Sequence, residues 1–181
     1  FARPLKDRTY TANWKENSYT IVFNVEGEVT RGEMKNIPLR YTQETTIPKN
    51  GYVCGGYKFV GWRTGGKKSE QKVYQPGDKV SRLCATNNGT VNLYPIWEPC
   101  EYTITFDYQT GNKREKVTCK YKETYTFPTV NRLGWTFEGW SRSAGSTNVI
   151  SYAPNVKTAV FEDEKDLTLY AVYKPITSAV F

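Results

Sequence analysis

The sequence contains no histidine, which removes the commonest general base, the usual hydrolytic triads and a principal metal ligand in one step. No run of 18 or more apolar residues occurs, so no segment reads as a membrane-spanning helix and no membrane insertion is expected. The opening FARPLKDRTY also lacks the charged start and apolar centre of a signal peptide. Four cysteines stand in 181 residues without any C-x-x-C spacing. They fit neither a zinc site nor a redox dithiol, and they are too sparse for a disulfide-dense scaffold. The patterns G-x-x-x-x-G-K-[ST], G-x-S-x-G and G-x-G-x-x-G are missing, which leaves phosphate cradles and nucleophile elbows without support. The densest acidic stretch, Glu162, Asp163, Glu164 and Asp166, is interrupted by Lys165 and lacks the alternate carboxylates and turn glycine of a calcium loop, so it reads as a solvated turn. No cofactor is expected, and the chain is not expected to be an enzyme.

What is present points to a folded β protein. Apolar residues make up 38% and charged residues 24%, enough to bury a core and too balanced for a disordered chain. Aromatics are abundant, with 14 Tyr, 8 Phe and 5 Trp, and such side chains suit pleated, half-buried surfaces. The net charge of +7 raises the question of a polyanionic partner. Its distribution argues for a solvated mixed surface instead: residues 1–14 hold three basic against one acidic residue, 15–98 twelve against eight, and 99–181 ten against nine. Beyond pairs such as Lys67-Lys68 and Lys113-Arg114 there is no basic block, and nucleic acid is not expected as a partner.

An internal repeat organises the chain. YTIVF at Tyr19–Phe23 returns as YTITF at Tyr102–Phe106, shifted by 83. RYTQETTIP, ending at Pro48, returns as KYKETYTFP, ending at Pro128, shifted by 80. GYKFVGW at Gly56–Trp62 returns as GWTFEGW at Gly134–Trp140, shifted by 78. VNLYPIWEP at Val91–Pro99 returns as LTLYAVYKP at Leu167–Pro175, shifted by 76. The order is kept while the shift shrinks, so the first copy carries loop insertions on a shared scaffold. Alternation predicts four strands per copy: Tyr19–Phe23, Ile37–Tyr41, Tyr57–Trp62 and Val91–Trp97, then Tyr102–Phe106, Val117–Tyr121, Trp135–Trp140 and Leu167–Tyr173. Hairpin-like polar stretches, VEGEVTRGEMKN and YQTGNKREK, join the first two strands of each copy. Helix is expected to be minor, at most a short turn between Thr42 and Tyr52 or between Thr124 and Asn131. Pro95 in the closing strand lacks a ladder donor and suits an edge or a bulge.

The openings YTIVF and YTITF, the central GYKFVGW and GWTFEGW and the closing LYPIW and LYAVY keep the same order in both copies. They resemble the G-Y-x-F-x-G-W and L-Y-A-x-W pattern of the internalin B-repeat family, also called the Listeria/Bacteroides repeat, with Pro95 in place of the alanine in the first copy and Tyr173 in place of the tryptophan in the second. The resemblance covers almost the entire chain. It implies a mostly β (α+β) fold of two tandem small β-grasp-like, ubiquitin-like modules. It also implies an extracellular place on the cell surface or in the cell wall of a bacterium, as a spacer or stalk with a role in adhesion. The expected organisation is the end of a preceding repeat at 1–14, module 1 at 15–98, module 2 at 99–175, and a tail or the start of a further strand at 176–181. The expected partners are neighbouring repeats and an unidentified protein or glycan ligand. The competing reading is a carbohydrate- or polyanion-binding module that uses exposed aromatics and basic surface.

Trp62 and Trp140 close the third strand in both copies, which makes them core anchors rather than stacking platforms. Tyr94 and Tyr170 take the same reading, and Phe59 and Phe137 of the shared motif count with them as structural. Trp14 and Trp97, at module ends, suit packing against a neighbouring module. Cys54 and Cys84 lie in loop sequence that the second copy lacks or replaces. They are expected to approach each other, and an extracellular bridge would contribute roughly 3–4 kcal/mol; the alternative is four free thiols. Cys119 aligns with Leu39 and is expected to be a small buried hydrophobe, while Cys100 falls in the link between modules.

Overall fold

The computed structural model describes residues 7, 9–149 and 159–177. The first repeat forms β1 (Ser18–Phe23), β2 (Val29–Arg31), β3 (Ile37–Arg40), β4 (Thr45–Thr46), β5 (Val53–Cys54), β6 (Tyr57–Thr64), β7 (Val73–Tyr74), β8 (Lys79–Val80) and β9 (Gly89–Pro99). The second forms β10 (Glu101–Asp107), β11 (Arg114–Lys120), β12 (Thr124–Tyr125), β13 (Trp135–Ser141), β14 (Ala159–Val160) and β15 (Leu167–Pro175). The fold is mostly β, and the one helical element among the described residues is a single 3-10 turn at Lys68–Glu70. Contacts divide the chain into two compact units. The first takes residues up to Glu26, Gly32–Tyr52 and Gly61–Ile96; the second takes Gly27–Arg31, Val53–Val60 and everything from Trp97 onward.

The sheet of the first repeat runs β3-β1-β9-β6-β7 and that of the second runs β11-β10-β15-β13. In each, the opening and closing strands of a copy lie side by side in parallel, Tyr19–Phe23 against Gly89–Leu93 and Ile104–Asp107 against Leu167–Tyr170. The second strand pairs antiparallel on the outer side of the first. A small antiparallel pair also recurs, β4 with β8 and β12 with β14. These pairs occupy the stretches in which a turn of helix was expected: β4 lies between Thr42 and Tyr52, and β12 opens the run from Thr124 to Asn131. The ladder satisfies the backbone groups that a helical turn would otherwise have used.

Two other expectations are corrected. VEGEVTRGEMKN does not fold back as a simple hairpin: β2 inside it pairs with β5, Val29 opposite Cys54 and Arg31 opposite Val53. Pro95 does not sit on an edge strand, because β9 is the middle strand of its sheet. Its pairing with β1 stops at Leu93, whose carbonyl accepts from Asn24 N. By strand parity Pro95 faces that same side two residues later, where β1 has ended and no donor is needed.

Alternation sets each core. Tyr19, Ile21 and Phe23 of β1 are buried together with Leu39, Ile47, Trp62 and Leu93. Ile104, Phe106, Cys119, Phe127, Trp140 and Leu169 repeat that set in the second copy, joined by Phe161 and Val130. One step breaks the period of two. Phe137 and Trp140 are three residues apart, so plain alternation would send them to opposite faces. A bulge between Phe137 and Gly139 in the pairing of β13 with β15 resets the parity. Gly139 has a φ of 142° there, a region that glycine enters without a Cβ clash. Trp140 therefore turns inward and meets Phe137 edge-on, ring centroids 5.3 Å apart.

Candidate functional site

Trp62 and Trp140 are both 0% exposed. Trp62 packs edge-on against Phe23 at 4.8 Å. Trp140 lies 4.7 Å from Phe106, and its indole N–H donates to Pro128 O at 3.0 Å. Phe59 and Phe137 are half-buried, Phe59 against Trp97 and Phe137 against Trp140 and Tyr173. Tyr94 and Tyr170 are not core anchors. Each follows a fully buried leucine, Leu93 or Leu169, so the pleat turns the tyrosine to the other face, where it is half-buried. Tyr94 lies beneath the Arg63 guanidinium at 5.1 Å. Trp14 is 92% exposed.

Cys54 and Cys84 form no bridge; both are free thiols, as are Cys100 and Cys119. Cys54 is held in the ladder of β5 opposite Val29, whereas Cys84 lies in the loop before β9 with its Sγ toward Thr86 O at 3.9 Å. Each has separate local constraints, and sequence separation alone carried no information about direction. Cys119 is buried on β11, and desolvation pushes its thiol pKa up. The acidic run is partly tied to the fold: Asp163 takes both terminal nitrogens of Arg142 at 2.8 and 2.7 Å, and Asp166 accepts from Thr103 N at 2.8 Å. No group of three or more candidate ligands is placed to hold a metal among the described residues.

The second unit also contains a cleft of about 240 Å³ lined by Gln109, Arg132, Trp135, Ser146, Thr147 and Tyr173 among others. β13 supplies Trp135 and β15 supplies Tyr173. Arg132, in the turn that enters β13, places its guanidinium 4.4 Å from the Trp135 ring centroid and 5.4 Å from that of Tyr173. The Tyr173 hydroxyl donates to Tyr108 O at 2.9 Å. Burial raises the pKa of Tyr173, and Arg132 partly opposes it. Gln109, at a positive φ of 52°, forms the wall: its amide N–H donates to Ala171 O at 2.7 Å and its oxygen accepts from Gly145 N at 3.1 Å. Next to it the Tyr108 pKa is pushed up to about 12, by its hydrogen bond to Glu115 first and by burial second.

None of Gln109, Arg132 and Trp135 stood out in the sequence. One signal was available for Arg132: under the shift of 78 it replaces Cys54, a gain of charge close to the shared Gly-aromatic pair.

Comparison with known proteins fits this two-copy architecture. The Listeria-Bacteroides repeat domain matches residues 19–94 and again 102–172. Two proteins of Evansella cellulosilytica are similar to the chain. One, named "Putative membrane protein", is 25% identical over 164 residues, covering 90% of this chain and 22% of the relative. The other, named "Putative Gly-rich membrane protein", is 25% identical over 171 residues, covering 92% of this chain and 17% of the relative. The chain thus spans about a fifth of the length of the curated relatives it matches. No helix among the described residues is long and apolar enough to cross a membrane. With the family's repeat matched twice over most of its length, the chain belongs to the Listeria-Bacteroides repeat domain family and carries two tandem copies of that domain.

Proposed function

We propose that the chain is a non-catalytic repeat segment of an extracellular protein of the bacterial cell surface or wall, in which each copy, 15–98 and 99–175, spaces or presents a neighbouring binding region. The observation that carries this reading is a backbone tie that recurs at the exit of each copy. Only Cys100 separates β9 from β10, and Cys100 N donates to Gly56 O at 2.8 Å. At the corresponding place after β15, Ile176 N donates to Gly134 O at 3.0 Å. Each copy thereby fixes where its outgoing chain leaves, on the residue just before its third strand, which is what a segment that sets a spacing requires. The membrane-protein names of the relatives support a place in the cell envelope.

The sheet order supports a β-grasp-like module. In each copy the parallel first and last strands occupy the centre, with the second strand outside the first and the third outside the last. The short pairs β4–β8 and β12–β14 take the place of the crossing helix of that fold. A spacer extends reach by a constant step per copy. Polymers of one, two and three such chains with terminal dyes should show equal increments of end-to-end distance by single-molecule energy transfer. An unchanged distance on adding a chain would remove the spacer reading.

A further inference from the structure

We propose that the cleft of the second repeat binds an acidic sugar, one carboxylate-bearing ring of a glycan, with Arg132 as the carboxylate receptor. This goes beyond the spacer reading and does not depend on it. Arg132 has its guanidinium beside two aromatic rings and makes no ion pair among the described residues. Stacking leaves the N–H edges of the fork free and reduces the freedom lost on binding, the arrangement that suits bidentate capture of a carboxylate.

The first repeat provides an internal control. At the positions of Arg132, Trp135 and Tyr173 it has Cys54, Tyr57 and Trp97. There the inserted segment covers the floor: β2 pairs with β5, and a Cβ on Gly27 would lie 3.4 Å from the Trp97 ring. The second repeat joins β10 to β11 by the short turn 108–113 instead, and the same floor stays open. The repeat frame therefore requires neither the arginine nor the cleft.

The remaining lining selects the ligand class. At about 240 Å³ the cleft is smaller than the roughly 300–1,000 Å³ of pockets for drug-sized molecules, which suits a single ring. The Gly145 N–H is engaged by Gln109 and the Ser146 N–H by Ser143 O, so no nest of backbone donors is left for a peptide terminus. A ligand meets the Thr147 side chain, the hydroxyl of Ser146, which already accepts from Asn148 N, the second amide N–H of Gln109, the guanidinium and the aromatic rings. Hydroxyl-rich rings with a carboxylate match that set.

The test is a titration of the whole chain with sodium glucuronate and with trigalacturonate, followed by the amide and indole resonances of Gln109 and Trp135. Glucose and an acetylated dipeptide carboxylate serve as comparison probes. Expected are saturable shifts for the uronates, at least roughly tenfold weaker binding of glucose, and a loss of about tenfold or more in Arg132→Gln, in line with a charge-assisted pair. Raising the salt should weaken the wild type and leave Arg132→Gln little changed. Because Arg132 is exposed, the variant should fold, and an unshifted Trp140 indole resonance verifies it. No shift at tens of millimolar uronate would overturn the proposal, as would undiminished binding by Arg132→Gln. Dipeptide binding as tight as that of the uronates would replace the sugar by a peptide.

Discussion

The two repeats build one four-strand frame and differ most in how its first two strands are joined. In the second, six residues, 108–113, turn β10 into β11; in the first, thirteen, 24–36, separate β1 from β3 and carry β2 within them. The frame is indifferent to this, since both copies keep the parallel central pair, the outer second strand and an inward tryptophan after a glycine. What changes is the surface beyond the strand ends, covered by β2 in one copy and open around Arg132 in the other. Insertions in a connection leave the buried pattern intact because they add exposed backbone rather than alter side-chain parity.

The comparison is tested hardest at the shared tryptophans. Trp62→Ala and Trp140→Ala should each cost about 3–5 kcal/mol in denaturant unfolding, each acting mainly on its own repeat. A cost near 1 kcal/mol in either would break the equivalence. Trp140→Phe keeps a ring in the core and should cost less, with roughly 1 kcal/mol of its loss coming from the bond to Pro128 O.

The glycines of the two connections should separate next. Gly32 has a φ of 99°, and a Cβ there would overlap the Gly51 carbonyl, whereas Gly111 has a φ of 61° with nothing near its Cβ position. Gly111→Ala should cost about 1–2 kcal/mol from the left-handed backbone alone, and Gly32→Ala more, because backbone must move as well. Equal melting shifts would show that the insertion of the first repeat is not fixed by that close approach.

A smaller difference is expected in pH dependence. Asp107 is buried, and its pKa lies below the ordinary 3.8, through the Gln109 N–H first and with help from Arg114. Its contribution is complete above that ordinary value and is lost as pH falls through the lower folded one. The first repeat has Asn24 at this position, so Asp107→Asn should flatten the acid limb of the second repeat. Tyr108, raised to about 12, acts at the other end: its contribution is full below pH 10 and disappears as pH rises from there to about 12. Paired acid and alkaline unfolding curves for wild type, Asp107→Asn and Tyr108→Phe would check both signs.

The smallest effect is a rate. Cys54 and Cys119 are buried with thiol pKa values raised by desolvation, while Cys84 and Cys100 are half-buried. Labelling the native protein at neutral pH should modify Cys84 and Cys100 roughly tenfold faster or more, and denaturation should expose four thiols. Only two after denaturation without reductant would restore the bridge between Cys54 and Cys84.

The sequence by itself determined the duplication, the four strands of each copy and the inward face of β1 and β10, because a period of two and an aligned repeat are properties of the chain. It also picked out Trp62 and Trp140 through their shared position. Tertiary structure decided the rest. Tyr94 and Tyr170 looked like Trp62 in the alignment, yet pleat parity next to Leu93 and Leu169 set them on the other face. The pairings of β4 with β8 and of β2 with β5 join residues 22 to 35 positions apart, which no local pattern encodes. The meeting of Gln109, Arg132 and Tyr173 spans sixty-odd residues, and it depends on a turn too short to cover the floor they share; only the folded sheet brings those three positions to one end.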